Sequence, residues 1–507
     1  MLVWAASPLA QESPAALLQR GCDSGNASNC TDLGVLYADG HGVVRDLSRA
    51  AGLYERGCDG GIAAACSGLG ELYLNGRGVE ADLARAATLF QRGCDRGAAA
   101  SCYNLGILYA DGQGVATDFT RAATFYQRGC DGGLPAGCTN LGALYVNGLG
   151  IAADLARAAT LFQRGCDGNN AAGCTNLGVL YANGRGVAID LTRAATLYER
   201  GCDGGDAPGC TDLGALFANG QGVAPNVARA ATLFQQGCDG DDAAGCTNLG
   251  LLYVNGRGVP VDFGRAATLY QWACEGWDAR GCYNLGDLYA SGQGVATDFA
   301  RAATLFEWGC DGGFAPSCHN AGLLYANGQG VATDQARAAT LFQLGCDGGF
   351  VASCHNLGLL YANGQGVAMD LARAATLFQR ACDAVNAVGC TNLGALYEKG
   401  QGVVIDLSRA ASLYQRGCDG GFAAGCTKLG GLYANGQGVA TDLARAATFY
   451  KQGCDGDNAP GCADLGALYE SGHGVSQDLS LARALYQRAC DQRDQSSCDA
   501  VKRLKTK

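Results

Sequence analysis

Histidine is scarce in this 507-residue sequence, with 4 residues, and the 36 lysines and arginines are outnumbered by 47 acids. The resulting net charge of −11 argues against a nucleic-acid backbone as the main partner, because that interaction needs a basic stripe. The one compact basic stretch, Lys502, Arg503, Lys505 and Lys507, reads as a solvated end. No run of 18 apolar residues occurs, so no transmembrane segment is expected. No serine has a lysine three residues on, which removes the nucleophile–base pair of serine β-lactamases. There is no His-Glu-x-x-His for a metal-assisted hydrolase. The recurrent Gly-Gln-Gly-Val lacks the third glycine of a dinucleotide loop and follows a helical pattern rather than a strand. No Cys-x-x-Cys is present, so the usual signature of a redox-active thiol pair is missing. No catalytic residue, metal site or cofactor is expected.

What the sequence has is cysteine at a fixed interval. Its 28 cysteines form 14 pairs with seven residues between partners. They are Cys22 and Cys30, Cys58 and Cys66, Cys94 and Cys102, Cys130 and Cys138, Cys166 and Cys174, Cys202 and Cys210, Cys238 and Cys246, Cys274 and Cys282, Cys310 and Cys318, Cys346 and Cys354, Cys382 and Cys390, Cys418 and Cys426, Cys454 and Cys462, and Cys490 and Cys498. Each pair follows the last by 36 residues without insertion or deletion. Self-similarity at roughly 20 to 50 residues signals a stacked array rather than several globular domains. The 80 glycines recur at fixed repeat positions, so they do not imply low complexity.

Within the second unit, Cys66, Leu69, Gly70 and Tyr73 lie at i, i+3, i+4 and i+7, one face of a helix. Gly76 suits the left-handed position that ends it, and Asp82 is placed to cap the next helix. Leu83, Ala86, Ala87 and Phe90 repeat the stripe, so the unit reads as two antiparallel helices. Glycine holds the Gly70 column from Gly34 to Gly466, and alanine pairs such as Ala86 and Ala87 are expected to face it, small against small. The column of Tyr37, Tyr73 and Tyr109, with Phe217 once, reads as core between hairpins.

The first cysteine of each pair ends one unit and the second opens the next, across a turn that sets antiparallel helix ends side by side. Bonding within each pair is therefore the simple connectivity. Disulfides are preferred over reduced buried thiols. They are also preferred over zinc, which favours four Cys/His ligands in short-spaced pairs. Disulfides imply an oxidising compartment, so the chain is expected to be secreted or periplasmic. Residues 1–11 look like a remnant of a secretory signal without its positive n-region, which leaves either a start codon upstream or an apolar N-terminus. Residues 12–26 are expected to cap the array as a half-repeat, 27–494 to form thirteen repeats, and 495–507 to close it with a half-helix and basic tail.

Two charge columns run along the array. Asp23, Asp59 and Asp95 follow the first cysteines, and Arg49, Arg85 and Arg121 sit three residues after the capping aspartates. They read as local pairs on a solvated edge, or as a ladder for an acidic peptide or glycan. Departures from the repeat are more specific. The column of Arg56, Arg92, Arg128, Arg164 and Arg200 becomes Gln236, Trp272, Trp308 and Leu344 before returning to Arg380. Trp277, Phe314, Phe350, His319 and His355 fall in the same window. Trp272, Trp277, Trp308, Phe314, His319, Leu344, Phe350 and His355 are the candidate partner patch, since aromatics with reduced charge mark interface cores. Drift in a tolerant array is the alternative.

The motif Leu177-Gly-Val-Leu-Tyr-Ala-Asn-Gly-Arg-Gly-Val-Ala-Ile-Asp-Leu-Thr-Arg-Ala194 resembles the Sel1-like repeat. With the paired cysteines, the chain resembles the Helicobacter cysteine-rich protein family over about residues 14 to 500. That resemblance implies an all-α fold: a right-handed α/α superhelical solenoid of tetratricopeptide-like hairpins, stapled by disulfides. It implies an exported, non-enzymatic scaffold that binds a protein, a peptide or a cell-wall ligand. For the cysteine-rich family it also implies, as an alternative, binding or hydrolysis of penicillin-type β-lactams.

Overall fold

A computed structural model describes residues 13–505. The expected signal remnant therefore lies outside the described residues. Among the described residues the fold is all-helical, with helices α1 to α28 arranged as successive hairpins. The chain divides into two compact units, Met1–Pro260 and Val261–Lys507. The first begins with α1 (Pro14–Asp23), α2 (Ala27–Asp39), α3 (Leu47–Asp59), α4 (Ala63–Asn75) and α5 (Leu83–Asp95). The second begins with α15 (Phe263–Glu275), α16 (Ala279–Ser291), α17 (Phe299–Asp311) and α18 (Ala315–Asn327).

Local chemistry sets each boundary. α4 ends at Gly76, which has φ +64° and gives its N–H to the Leu72 carbonyl. Gly78, at φ +73°, passes so close to α3 that a Cβ would sit 2.4 Å from the Leu47 carbonyl carbon. Ser48 Oγ donates to the Gly78 carbonyl at 2.8 Å and ties this loop to the preceding repeat. Asp82 then accepts from the Arg85 N–H at 2.9 Å and starts α5.

The core is a series of clusters, most of them shared by three consecutive helices. One joins Ala50, Ala51 and Tyr54 of α3 with Cys66, Leu69 and Leu72 of α4 and Leu89 of α5. The glycine column lies against the alanine backbone of the following helix, as expected: a Cβ at Gly178 would lie 3.4 Å from the Ala194 carbonyl oxygen, and one at Gly430 3.2 Å from that of Ala446. The nearer neighbour, not foreseen, is an aromatic ring. A Cβ at Gly70 would lie 2.6 Å from the Phe90 ring, and one at Gly106 would lie 2.6 Å from Tyr126. Glycine is the seat of an aromatic ring from the following helix. This accounts for its cost in mid-helix, about 1 kcal/mol relative to alanine.

All 14 cysteine pairs are bonded as the spacing implies, with Cα–Cα distances such as 4.7 Å at Cys58–Cys66 and 4.6 Å at Cys94–Cys102. Among the described residues no free cysteine remains. No helix in the described residues is long and apolar enough to cross a membrane.

Candidate functional site

Most of the charge on the repeats is used locally. The Arg85 guanidinium lies 4.6 Å over the Tyr73 ring and bonds Glu55 at 2.9 Å. Arg121 Nη1 donates to the Tyr109 hydroxyl at 2.9 Å, and Tyr109 stacks on Phe125. This column is thus committed to the half-buried tyrosines of its own array.

The second arginine column closes over the disulfides. Arg92 Nη2 donates to the Cys58 carbonyl at 3.3 Å and to Asp59 at 2.8 Å. Arg128 reaches the Cys94 carbonyl at 2.7 Å and Asp95 at 3.1 Å. Arg56, Arg164, Arg200, Arg380 and Arg416 repeat the carbonyl bond. Beneath these arginines Cys22, Cys58, Cys94, Cys166, Cys346 and Cys382 are 0% exposed and Cys130 is 1% exposed. Where Gln236, Trp308, Leu344 or Gln452 holds the column, Cys202 is half-buried, Cys274 and Cys310 are 6% exposed and Cys418 is 8% exposed.

Thiol–disulfide exchange depends on access to a sulfur. Under limiting reductant followed by alkylation, Cys202–Cys210, Cys274–Cys282, Cys310–Cys318 and Cys418–Cys426 are expected to label ahead of the arginine-covered bridges. Peptide mapping in which Cys94–Cys102 and Cys346–Cys354 label at the same rate as these four would refute the shielding.

The structure divides the eight residues of the candidate patch. Trp272, Trp277, Trp308 and Leu344 stand outward, with exposures of 52, 93, 55 and 50%. Trp277 and Trp308 share a cleft of about 520 Å³, with the Cys274–Cys282 bridge as its floor and Glu275, Asp311, Ala279 and Gly312 around it. Trp272 and Leu344 occupy the Trp308 column one repeat before and one after. Phe314, Phe350, His319 and His355 pack inward instead. Phe314 meets Tyr283 edge-on at 5.1 Å between ring centroids. His319 lies 4.9 Å from the Phe350 ring, and its Nδ1 is 3.1 Å from Ser353 Oγ. His355 packs on Phe378 at 5.7 Å. Burial lowers the pKa of both imidazoles, because it disfavours the charged form. No group of three His, Cys, Asp or Glu side chains among the described residues is placed to hold a metal ion.

Trp277 has φ +64°, at the turn position where Gly61, Gly133 and Gly313 also have positive φ, as do Asn169, Asp241, Val385 and Asp457. Such a backbone costs a residue with a Cβ about 1 kcal/mol or more. A near-fully exposed indole held in that conformation returns no core packing to the fold.

One carboxylate missed in the sequence stands out by burial. Asp212 occupies the column of Asn140, Asn176 and Asn248. Burial, with Asp242 and Asp206 adding repulsion, pushes its carboxyl up to about 6. The unfolded carboxyl titrates near ~4. Below that pH both states are protonated and nothing is lost. As pH rises from about 4 through 6 the unfolded chain gives up its proton first, so stability falls. The full penalty, at most about 3 kcal/mol, applies above pH 7. Asp212→Asn is therefore expected to raise thermal stability at pH 8 and leave it unchanged at pH 4. Equal gains at both pH values would contradict this.

The sequence model of the Sel1 repeat matches thirteen consecutive segments between residues 30 and 494, from 30–62 to 459–494. No curated protein matches the chain. Among solved structures, the fold is similar to c5321, a protective antigen present in uropathogenic Escherichia coli strains displaying an SLR fold. That match has a TM-score of 0.60 and 24% identity, and covers 90% of this chain and 97% of the other. A Sel1 repeat protein from Oxalobacter formigenes matches at 23% identity with a TM-score of 0.46, covering 62% of this chain and 95% of the other.

Proposed function

This chain belongs to the Sel1 repeat family, and on that premise we propose that it is a non-enzymatic scaffold of an oxidising compartment, periplasmic or secreted, that holds a protein or peptide partner along its repeats. The observation that carries the reading is the contrast between its repeats. At most junctions arginine, aspartate and cysteine carbonyl satisfy one another, as at Arg128, Asp95 and Cys94. In the window of Trp272, Trp308 and Leu344 the same column presents exposed apolar side chains. Repeat arrays offer extended surfaces that suit protein recognition without any catalytic group.

Half-repeats at residues 12–26 and 495–507 would cap thirteen repeats at 27–494. The oxidising compartment is supported by 14 bonded pairs, which persist only where thiols are not kept reduced.

Two measurements test this reading. Protein taken directly from cells and alkylated before reduction should show its 28 cysteines protected. The oxidised protein, cross-linked in the periplasmic or secreted fraction, should retain a protein partner and should leave a chromogenic β-lactam intact. Sustained β-lactam turnover would replace the scaffold with the hydrolase implied by the resemblance to the cysteine-rich family. Free cysteines in freshly sampled protein would remove the oxidising compartment.

A further inference from the structure

We propose that the Trp277–Trp308 cleft is a receptor for an arginine side chain carried by a partner protein; this rests on the scaffold reading and gives it a recognition chemistry. The chain itself shows what the place accepts. At seven junctions its own arginine lies against the preceding disulfide and donates Nη2 to the first cysteine's carbonyl. The following aspartate bonds or pairs with the same guanidinium, as Asp59 does with Arg92 and Asp347 with Arg380.

At the Cys274–Cys282 junction the incoming column residue is Trp308. Among the described residues no ion pair within 4 Å is made by Glu275, whose carboxylate accepts from Gln271 Nε2 at 2.7 Å, or by Asp311, which Arg337 feels only as a more distant charge. The two acids, the two indoles and the disulfide bound one cleft, with no basic residue in its lining. The carbonyl and carboxylate that arginine satisfies elsewhere are thus retained, and a tryptophan stands where the guanidinium came from.

The occupant follows from that chemistry. It must be cationic, to meet Glu275 and Asp311. It must be flat and weakly hydrated, to lie on indole faces. It must also donate in a planar fork to a carbonyl and a carboxylate together. Guanidinium meets all three requirements. An ammonium is a compact, strongly hydrated charge, and a quaternary ammonium has no N–H to donate.

The test uses the oxidised full chain with N-acetyl-argininamide as probe. N-acetyl-citrullinamide, N-acetyl-lysinamide and choline serve as controls. Binding is read from the indole Nε1–H resonances of Trp277 and Trp308, assigned with Trp277→Gly and Trp308→Arg. We expect saturable shifts of both indoles with the arginine probe, and at least tenfold weaker binding of citrulline, which keeps the shape and loses the charge. Trp308→Arg should abolish probe binding, because the chain's own guanidinium then takes the place. Trp277→Gly should weaken binding by about tenfold while melting no lower than the wild type, which separates recognition from folding. Equal shifts with citrulline, tighter binding of choline or lysinamide, or unaltered affinity in Trp308→Arg would each overturn the site. A captured partner held equally by wild type and Trp308→Arg would also overturn it and leave the scaffold reading standing.

Discussion

Full reduction of the 14 disulfides is expected to lower the melting temperature by about 30 °C. Each bridge joins cysteines eight positions apart, and closing so short a loop stabilises by about 2.5 kcal/mol in the chain-entropy model. In a single globular domain one such term is diluted over the whole melting entropy. Here every 36-residue repeat carries one. At about 2.1 cal/mol/K per residue, a repeat melts with an entropy of roughly 75 cal/mol/K. The loss per repeat then corresponds to about 30 °C, however many repeats there are. Removing a single bridge gives a different result. Replacing Cys166 and Cys174 by serine should shift the whole-chain transition by only a few degrees, with faster amide exchange around that junction, because an array couples mainly nearest neighbours. Thermal scans with and without reductant decide the matter. A reduced protein that melts within about 5 °C of the oxidised one would assign its stability to the helix clusters alone.

The second large effect lies at the glycine seats. A Cβ at Gly358 would lie 2.6 Å from Phe378 Cε1 and 2.8 Å from Cδ1, and Phe378 is only 2% exposed. Gly358→Val gains some helix propensity, worth well under 1 kcal/mol. It also drives three carbons into a filled space, at a cost of about 3 kcal/mol. Phe378→Ala alone should cost about 3–5 kcal/mol, since it leaves the seat empty. In the double variant the valine fills part of the space left by the ring. The loss should therefore fall short of the sum by about 2 kcal/mol. Strict additivity in urea unfolding would show that the glycine is retained for another reason.

The sequence made the helices, their caps and the disulfide partners readable because each is settled within a few residues of its own motif. Asp82 caps the helix it precedes, and Cys58 finds Cys66 across one turn. The glycine column was readable as a close approach of two helices but not as the seat of a ring. Gly70 meets the Phe90 ring, and that depends on how the second helix is rotated against the first. The candidate patch was readable only as a set of departures. Whether Trp308 and His319 share a surface depends on side-chain direction, and one stands outward while the other is buried against Phe350. Arg92 reaching the carbonyl of Cys58 spans 34 positions, a contact fixed by the stacking of repeats and therefore invisible in either repeat alone.

The uniform spacing of the bridges also governs how the chain acquires them. For Cys30 the correct partner, Cys22, is eight positions away, whereas the nearest competitor in a neighbouring pair, Cys58, is 28 away. Loop closure alone favours the shorter ring by about sixfold before any helix has formed. The same bias applies at each later pair, so cross-links can be laid down from the N-terminus as the chain emerges. Neither a distant segment nor an exchange of mispaired partners is required. One two-electron oxidation per bridge, with no later isomerisation, is sufficient for such a chain, and the time to complete its bridges grows only in proportion to the number of repeats.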